Sequence, residues 1–80
     1  MNSRASKIVV LGGSGYIGRE ICRIGRSMGH EVISVSIDGR PEGDDPWLEG
    51  VEWVRADVFD EASWTSKLDG ARAVVDCIGA

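Results

Sequence analysis

KIVVLGGSGYIG, running from Lys7 to Gly18, decides how the rest of this chain is read. Ile8, Val9, Val10 and Leu11 run unbroken into a cluster of glycines. An uninterrupted apolar run of this length predicts a strand buried on both faces. Beyond the glycines, Ile17, Ile21, Ile24 and Met28 recur at helical spacing. They predict an amphipathic helix from about Tyr16 to Met28, with Gly29 as its C-terminal glycine. Gly12, Gly15 and Gly18 fit G-x-x-G-x-x-G, and Gly13, Gly15 and Gly18 fit G-x-G-x-x-G.

Each glycine in such a turn answers a physical need. A strand that reverses directly into a helix requires positive φ or a very tight backbone, which Gly12 or Gly13 supplies without a Cβ clash. A diphosphate has to approach the main chain, and Gly15 leaves room for it. Gly18 lets the helix pack closely on its strand. The unpaired N–H groups of the first helical turn, at Tyr16 and Ile17, then face the anion with the helix dipole behind them. Ser14 adds a hydroxyl donor. No Gly-Lys-Ser/Thr follows, so the turn is not a P-loop. The bland alternative is a glycine-rich hairpin or cap without a ligand. It is disfavoured because a strand precedes, a helix follows and a second strand comes next.

The chain has 80 residues, 42% of them hydrophobic, and a net charge of −4. That acidic balance argues against nucleic acid or an anionic membrane as the main partner. No apolar run approaches the ~20 residues of a membrane span. The residues before Lys7 lack the apolar core of a signal peptide. Cys22 and Cys77 fall in a predicted helix and a predicted strand, and read as buried small hydrophobes in a reducing compartment, the cytoplasm or an organelle matrix. A doubly wound nucleotide-binding domain usually needs roughly twice this length. Residues 1–80 are therefore expected to be the N-terminal portion of a single dinucleotide-binding domain, with the remainder following Ala80.

Beside the isoleucine stripe lies a stripe of small residues, Gly18, Cys22 and Gly25, while Arg19, Arg23 and Arg26 form a solvated opposite face. Glu31 to Ser36 is rich in β-branched residues and predicts the second strand. Ile37 to Gly50 is punctuated by Gly39, Pro41, Gly43, Pro46 and Gly50 and reads as a loop without a proper helix, from which Trp47 and Leu48 pack back. Val51 to Ala56 alternates and suits a third strand near a sheet edge. Asp60 is placed as the N-cap of a short helix over Glu61 to Leu68 that buries Trp64 and Leu68, with Gly70 ending it. Ala73 to Ile78 is the fourth strand. The order of elements implies an α/β fold, the first part of a doubly wound sheet in order 3-2-1-4, with a crevice at the carboxyl ends of strands one and four. Two helices are expected to cover one sheet face, the first and fourth strands to be buried on both sides, and the fourth to stand as an open edge that recruits other chains.

With the glycine turn, the second strand and the Asp57–Val58 pair in place, the chain resembles the short-chain dehydrogenase/reductase superfamily. GGSGYIG is similar to its extended and atypical branches, which include the NAD-dependent epimerase/dehydratases. VVLGGSGYIGREIC, VISVSIDGRP, PWLEGVEWVRADVFD and VVDCIGA resemble, in order and spacing, an atypical group that holds the SDR-like accessory subunit of mitochondrial complex I and a yeast protein of coenzyme Q assembly.

The resemblance implies a Rossmann fold and an NAD(P) cofactor. It places the pyrophosphate at Gly12, Ser14, Gly15, Tyr16, Ile17 and Gly18, and adenine near Asp57 and Val58. The nicotinamide half passes over the end of the fourth strand at Cys77, Ile78 and Gly79. NAD-preferring relatives carry an acid at the end of the second strand, where this chain has Ser36. Ser36 with Arg40 nearby fits a 2′-phosphate better than a diol, so NADP(H) is expected over NAD(H). Asp38, two residues further on, is the alternative ribose ligand. Asp76 stands where the group often has a smaller polar residue, and solvation or a local hydrogen bond is its expected role.

Reductases of this superfamily use Tyr-x-x-x-Lys, in which the lysine lowers the tyrosine pKa for acid–base work. The only tyrosine is Tyr16, with Glu20 at the fourth position after it, so catalysis is expected to lie outside this stretch. Asp44–Asp45 reads as loop solvation and His30 as a surface or cap residue, and no metal-ligand cluster is present. Two functions remain open. One is the cofactor-holding segment of an oxidoreductase or epimerase-like enzyme acting on a small molecule. The other is a non-catalytic NADP(H)-binding module that stabilises or assembles a larger complex.

Overall fold

A computed structural model describes residues 5–78 of the chain. One parallel sheet is built from β1 (Lys7–Leu11), β2 (Glu31–Ser36), β3 (Val51–Arg55) and β4 (Ala71–Asp76), in the order β3-β2-β1-β4. This is the expected 3-2-1-4 arrangement. Val10 sits beside Ser34 of β2 and Val75 of β4, and Val9 and Val10 are fully buried, as a central strand requires.

Helix α1 (Tyr16–Ser27) joins β1 to β2. Gly29, at φ +85°, ends it as expected: its N–H donates to the Arg26 carbonyl and that of His30 to the Gly25 carbonyl, both at 3.0 Å. The face that α1 turns to the sheet is the stripe of small residues. Gly18, Cys22 and Gly25 are buried, whereas Ile17, Ile24 and Met28 are 72%, 44% and 62% exposed. The reason is close approach. A Cβ on Gly18 would lie 2.2 Å from the Gly12 carbonyl oxygen, and one on Gly25 would lie 2.9 Å from Val32 Cγ2. Of the isoleucine stripe, only Ile21 still packs against the core beneath the helix. Both stripes share the helical period and sit about a quarter turn apart, so periodicity alone could not rank them. Nor are the arginines all solvated. Arg26 is half-buried, donates to the His30 carbonyl at 2.8 Å and fills the space over Gly50.

The β2–β3 connection has no α-helix, only a 3₁₀ turn at Pro46–Gly50 that buries Leu48. Trp47 packs on the α1 side of the sheet, tilted against Trp53, whose indole N–H donates to the Leu48 carbonyl at 2.8 Å.

The β3–β4 connection corrects a second expectation. In place of one helix over Glu61 to Leu68 there are two 3₁₀ pieces, Glu61–Ser63 and Thr65–Leu68, broken at Trp64 with φ −142°. Asp60 makes no side-chain cap. The break lets Trp64 enter the core, where its indole N–H donates to the Val58 carbonyl at 2.8 Å. Ser63 Oγ donates to the Asp60 carbonyl, a local bond that competes with helix formation.

The two connections lie on opposite faces. Val10, Cys22, Val32 and Val51 form the core under α1, while Val9, Ile33, Val35 and Trp64 form the other. The expectation of one covered face fails for a topological reason. The chain moves outward from β1 to β3 and then returns past β1 to β4, so keeping crossovers right-handed switches the face. β4 also begins and ends two residues earlier than expected. It is not buried on both sides, with Val74 49% exposed. Asp76 Oδ1 accepts the Ile78 N–H at 3.0 Å and turns the chain out of the strand, the local role expected of it.

Candidate functional site

The reversal from β1 into α1 is held by backbone bonds alone. Gly12, at φ +82°, donates to the Val35 carbonyl at 2.8 Å, and Gly15 donates to the Gly12 carbonyl at 3.2 Å. Gly13 has no room for a side chain, since a Cβ there would meet Ser34 Oγ at 2.2 Å. Gly15 is the extended N-cap of α1, and its nearest potential Cβ neighbour is 3.5 Å away. The space above Gly15 is therefore open, while every glycine around it is crowded from below. The first N–H groups of α1, at Tyr16 and Ile17, lack an acceptor within the helix. No acidic residue stands in that first turn to neutralise the helix dipole.

Above this turn, at the carboxyl ends of the strands, lies a cleft of about 330 Å³. Gly12, Ser14 and Gly15 form its floor, Ser36, Ile37 and Asp38 one wall, and Asp57, Val58 and Phe59 the second. Cys77 and Ile78 close it from the end of β4. Of the residues singled out from sequence, Gly12, Ser14, Gly15, Ser36, Asp57 and Val58 are thus brought together. Tyr16, at 95% exposed, and Ile17 are not among the cleft lining, and Gly18 is buried beneath the turn. Gly79 lies outside the described residues.

Arg40 is not in the cleft lining. Its guanidinium pairs with Glu49 at 2.7 Å and also reaches the Gly43 carbonyl at 3.4 Å. Ser36 Oγ accepts the Gly39 N–H at 3.2 Å, which shapes the bend after β2 and leaves Asp38 at the cleft. Asp57 has both a local and a lining role, since its Oδ1 accepts the Phe59 N–H at 2.9 Å. Ile37 and Phe59 were missed by sequence reasoning. For Ile37 the available signal was an apolar residue directly after the strand-end Ser36, and for Phe59 an apolar residue in the turn after β3; both are exposed here, Phe59 at 85%.

Beneath the floor, Ser34 Oγ is fully buried with no hydrogen-bond partner among the described residues. Burial pushes the Cys22 thiol from 9.0 up to about 12, with the nearby Cys77 adding to the rise. Burial and Asp76 raise Cys77 as well. Both shifts favour the neutral thiol over the thiolate. Among the described residues no three His, Cys, Asp or Glu gather as a metal site, and no helix is long and apolar enough to cross a membrane.

Comparison with known proteins decides the family. A model of the NAD-dependent epimerase/dehydratase family matches residues 8–80. The chain belongs to that family. An uncharacterised chloroplastic protein of Arabidopsis thaliana is 49% identical over 76 residues, covering 95% of this chain and 25% of that protein. MIOREX complex component 2 of Saccharomyces cerevisiae is 35% identical over 78 residues, covering 91% of this chain and 28% of its own. An isoflavone reductase homologue of Zea mays is 33% identical over 88 residues, covering 99% and 28%. The chain thus spans about a quarter of the length of these relatives. No solved structure matches it closely enough to count as related.

Membership in the epimerase/dehydratase family carries a nicotinamide dinucleotide, NAD or NADP, as the cofactor. The residues present fit that group. A diphosphate needs bare backbone, unpaired N–H groups and a helix N-terminus, and the open space over Gly15 at the start of α1 offers all of these.

Proposed function

We propose that this chain is the dinucleotide-holding segment of an oxidoreductase or epimerase-like protein. In this reading the pyrophosphate lies over Gly12, Ser14 and Gly15 and takes hydrogen bonds from the N–H groups of Tyr16 and Ile17. Adenine sits against Val58, with the Asp57 carboxylate accepting from its exocyclic amine. The nicotinamide half crosses toward Cys77 and Ile78, with Gly79 next in the chain. The observation that carries this reading is the open space over Gly15 inside a cleft that the four strand ends share.

The bound cofactor supplies hydride chemistry, and this chain's residues bind and orient it. The chain contains no Tyr-x-x-x-Lys, so the acid–base group and the substrate site are assigned to polypeptide outside it. Ser36 and Arg40 favour NADP(H) on sequence. The geometry favours the reverse order, because Asp38 lines the cleft and Arg40 is held by Glu49. A carboxylate beside the ribose accepts from a diol and repels a 2′-phosphate. An exposed ion pair is weak, about 0–1 kcal/mol, so Arg40 is free to exchange Glu49 for a phosphate.

Gly15→Val tests the site. Its Cβ has space in the folded chain, so the circular dichroism spectrum should stay native while calorimetry on the intact protein shows dinucleotide affinity lost. Unchanged affinity would reject the site. In the same titrations, tighter NADP⁺ than NAD⁺ binding would restore the Ser36–Arg40 reading of cofactor choice.

A second function, a non-catalytic nucleotide-binding module in a larger assembly, is supported by the yeast relative, which is named as a complex component. Turnover of a reduced cofactor by the intact protein would exclude it. The chloroplastic relative supports an organelle as the compartment.

A further inference from the structure

In the middle of the sheet, β2 carries a hydroxyl that packing alone does not explain. Ser34 is 0% exposed and stands between Ile33 and Val35, both buried. It lies on the α1 face, two residues beyond Val32 of the core under α1. There it meets the glycine turn. A Cβ on Gly13 would sit 2.6 Å from Ser34 Cβ and 2.2 Å from its Oγ, and a Cβ on Gly18 would sit 2.8 Å from Gly13 Cα. Gly13 is therefore held between β2 and α1, with Gly12 and Ser14 of the cleft floor on either side of it in the chain. Such close approach limits position 34 to a very small side chain. Alanine would meet that limit without taking a polar atom out of water. Ser34 Oγ instead has no hydrogen-bond partner, and Ser34 is the one fully buried side chain among the described residues of which that is true. Ser36, the next serine on the same face, has Gly39 as its partner. A buried hydroxyl left unpaired is a cost that the empty chain carries. The main chain of Gly13 forms no hydrogen bond among the described residues either. Unsatisfied groups of β2 and of the turn thus lie side by side beneath the floor.

We propose that Ser34 is a positioning residue for the dinucleotide, its hydroxyl pairing with the main chain of Gly13 when a pyrophosphate settles on the turn. This rests on the cofactor reading given above. Ser34 is absent from the cleft lining and lies under Gly13, so it acts through the turn and not by touching the ligand. The turn has room to adjust. Its one internal backbone bond, from the Gly15 N–H to the Gly12 carbonyl, is 3.2 Å, at the long end of the ordinary range. A serine hydroxyl both donates and accepts, so it can serve either polar group of Gly13. Donation to the Gly13 carbonyl polarises the peptide that Gly13 shares with Ser14, and strengthens the Ser14 N–H on the cleft floor as a donor. The cost of the unpaired hydroxyl then belongs to the empty chain alone. Relieving it on binding is a free-energy difference between the two states, and such a difference is read as affinity.

Ser34→Ala separates this role from a merely structural one, because it moves two readings in opposite directions. In the intact protein without ligand it removes an unpaired polar atom and should raise the urea midpoint. In calorimetry on the same protein it should raise the dissociation constants for NAD⁺ and NADP⁺ about tenfold, the worth of one hydrogen bond gained on binding. The two losses should be equal, since both dinucleotides carry the same pyrophosphate. A lower urea midpoint would mean that the hydroxyl is already paired in the empty chain, and would overturn the proposal. So would unequal losses, which would move the action of Ser34 to the ribose wall. Wild-type protein that binds neither dinucleotide would overturn the cofactor reading and this inference with it. Wild-type binding that Ser34→Ala leaves intact would overturn this inference alone.

Discussion

The two crossovers that frame this sheet are built on opposite plans. Between β1 and β2, a regular helix lies on the sheet through Gly18, Cys22 and Gly25, with backbone against backbone at Gly18 and the Val32 side chain close under Gly25. Between β3 and β4, two short 3₁₀ pieces hang on one large side chain, Trp64, which is buried by stepping out of helical geometry. The first plan fixes position to a few tenths of an ångström and tolerates nothing larger. The second relies on its anchor, with Val58 and Leu68 packed beside it. Precision is concentrated on the side that carries the glycine turn.

Substitutions at the two contacts should separate the plans. Gly18→Val should have the largest effect, above about 4 kcal/mol or outright loss of folding. The atoms in its way are the Gly12 carbonyl and Gly13 Cα, neither of which can rotate aside. Urea unfolding followed by circular dichroism measures it, and a cost below that of the tryptophan variant would reverse the comparison. Trp64→Ala should cost about 3 kcal/mol, the low end for an aromatic truncation, because the 3₁₀ pieces can collapse into the gap. Amide exchange should then quicken from Glu61 to Leu68 while α1 keeps its protection. Equal loss of protection in α1 would mean that the two crossovers form one cooperative unit.

The last effect appears only in alkali. The Cys22 thiol holds its proton to about 12 in the folded chain, against 9.0 as its ordinary value. Between these values the folded state binds more protons than the unfolded one, so stability should be flat below pH 9 and fall as the pH rises toward 12. Cys22→Ala should flatten most of that fall, leaving the weaker share from Cys77. Urea midpoints at successive pH values provide the check, and an unaltered slope in the variant would place Cys22 outside the tight contact.

How much of this was legible beforehand depended on what each signal measures. The strand order, the extent of α1, the glycine that ends it and the missing second helix all follow from local chemistry, and local chemistry is what sequence displays. Amphipathic periodicity reports that a helix has an apolar flank, not which flank lies nearest the sheet. Interhelix or helix–sheet distance is a tertiary quantity, and only Gly18 and Gly25, read together, hinted at it. The helix over Glu61 to Leu68 failed because the pull of one tryptophan toward the core outweighed weak propensity among serines and a threonine. Of the residues that frame the cleft, Gly12, Ser14 and Gly15 were read from the glycine turn, and Ser36, Asp57 and Val58 from the family resemblance. Arg40 illustrates the limit: nearness in sequence to Ser36 did not reveal that Glu49 stands close enough to claim its guanidinium.

The contact beneath the glycine turn also has a thermal consequence. Gly18 and Gly25 have no side-chain torsions, and Cys22 has one, so ordering this contact freezes almost no rotamer freedom. Heating therefore has little disorder to release there. The tilt of α1, and with it the direction in which the N–H groups of Tyr16 and Ile17 point, is set by bond lengths and atomic radii, which scarcely change with temperature. The geometry presented at the start of α1 should stay constant up to the onset of global unfolding, while the flank held by Trp64 loosens first.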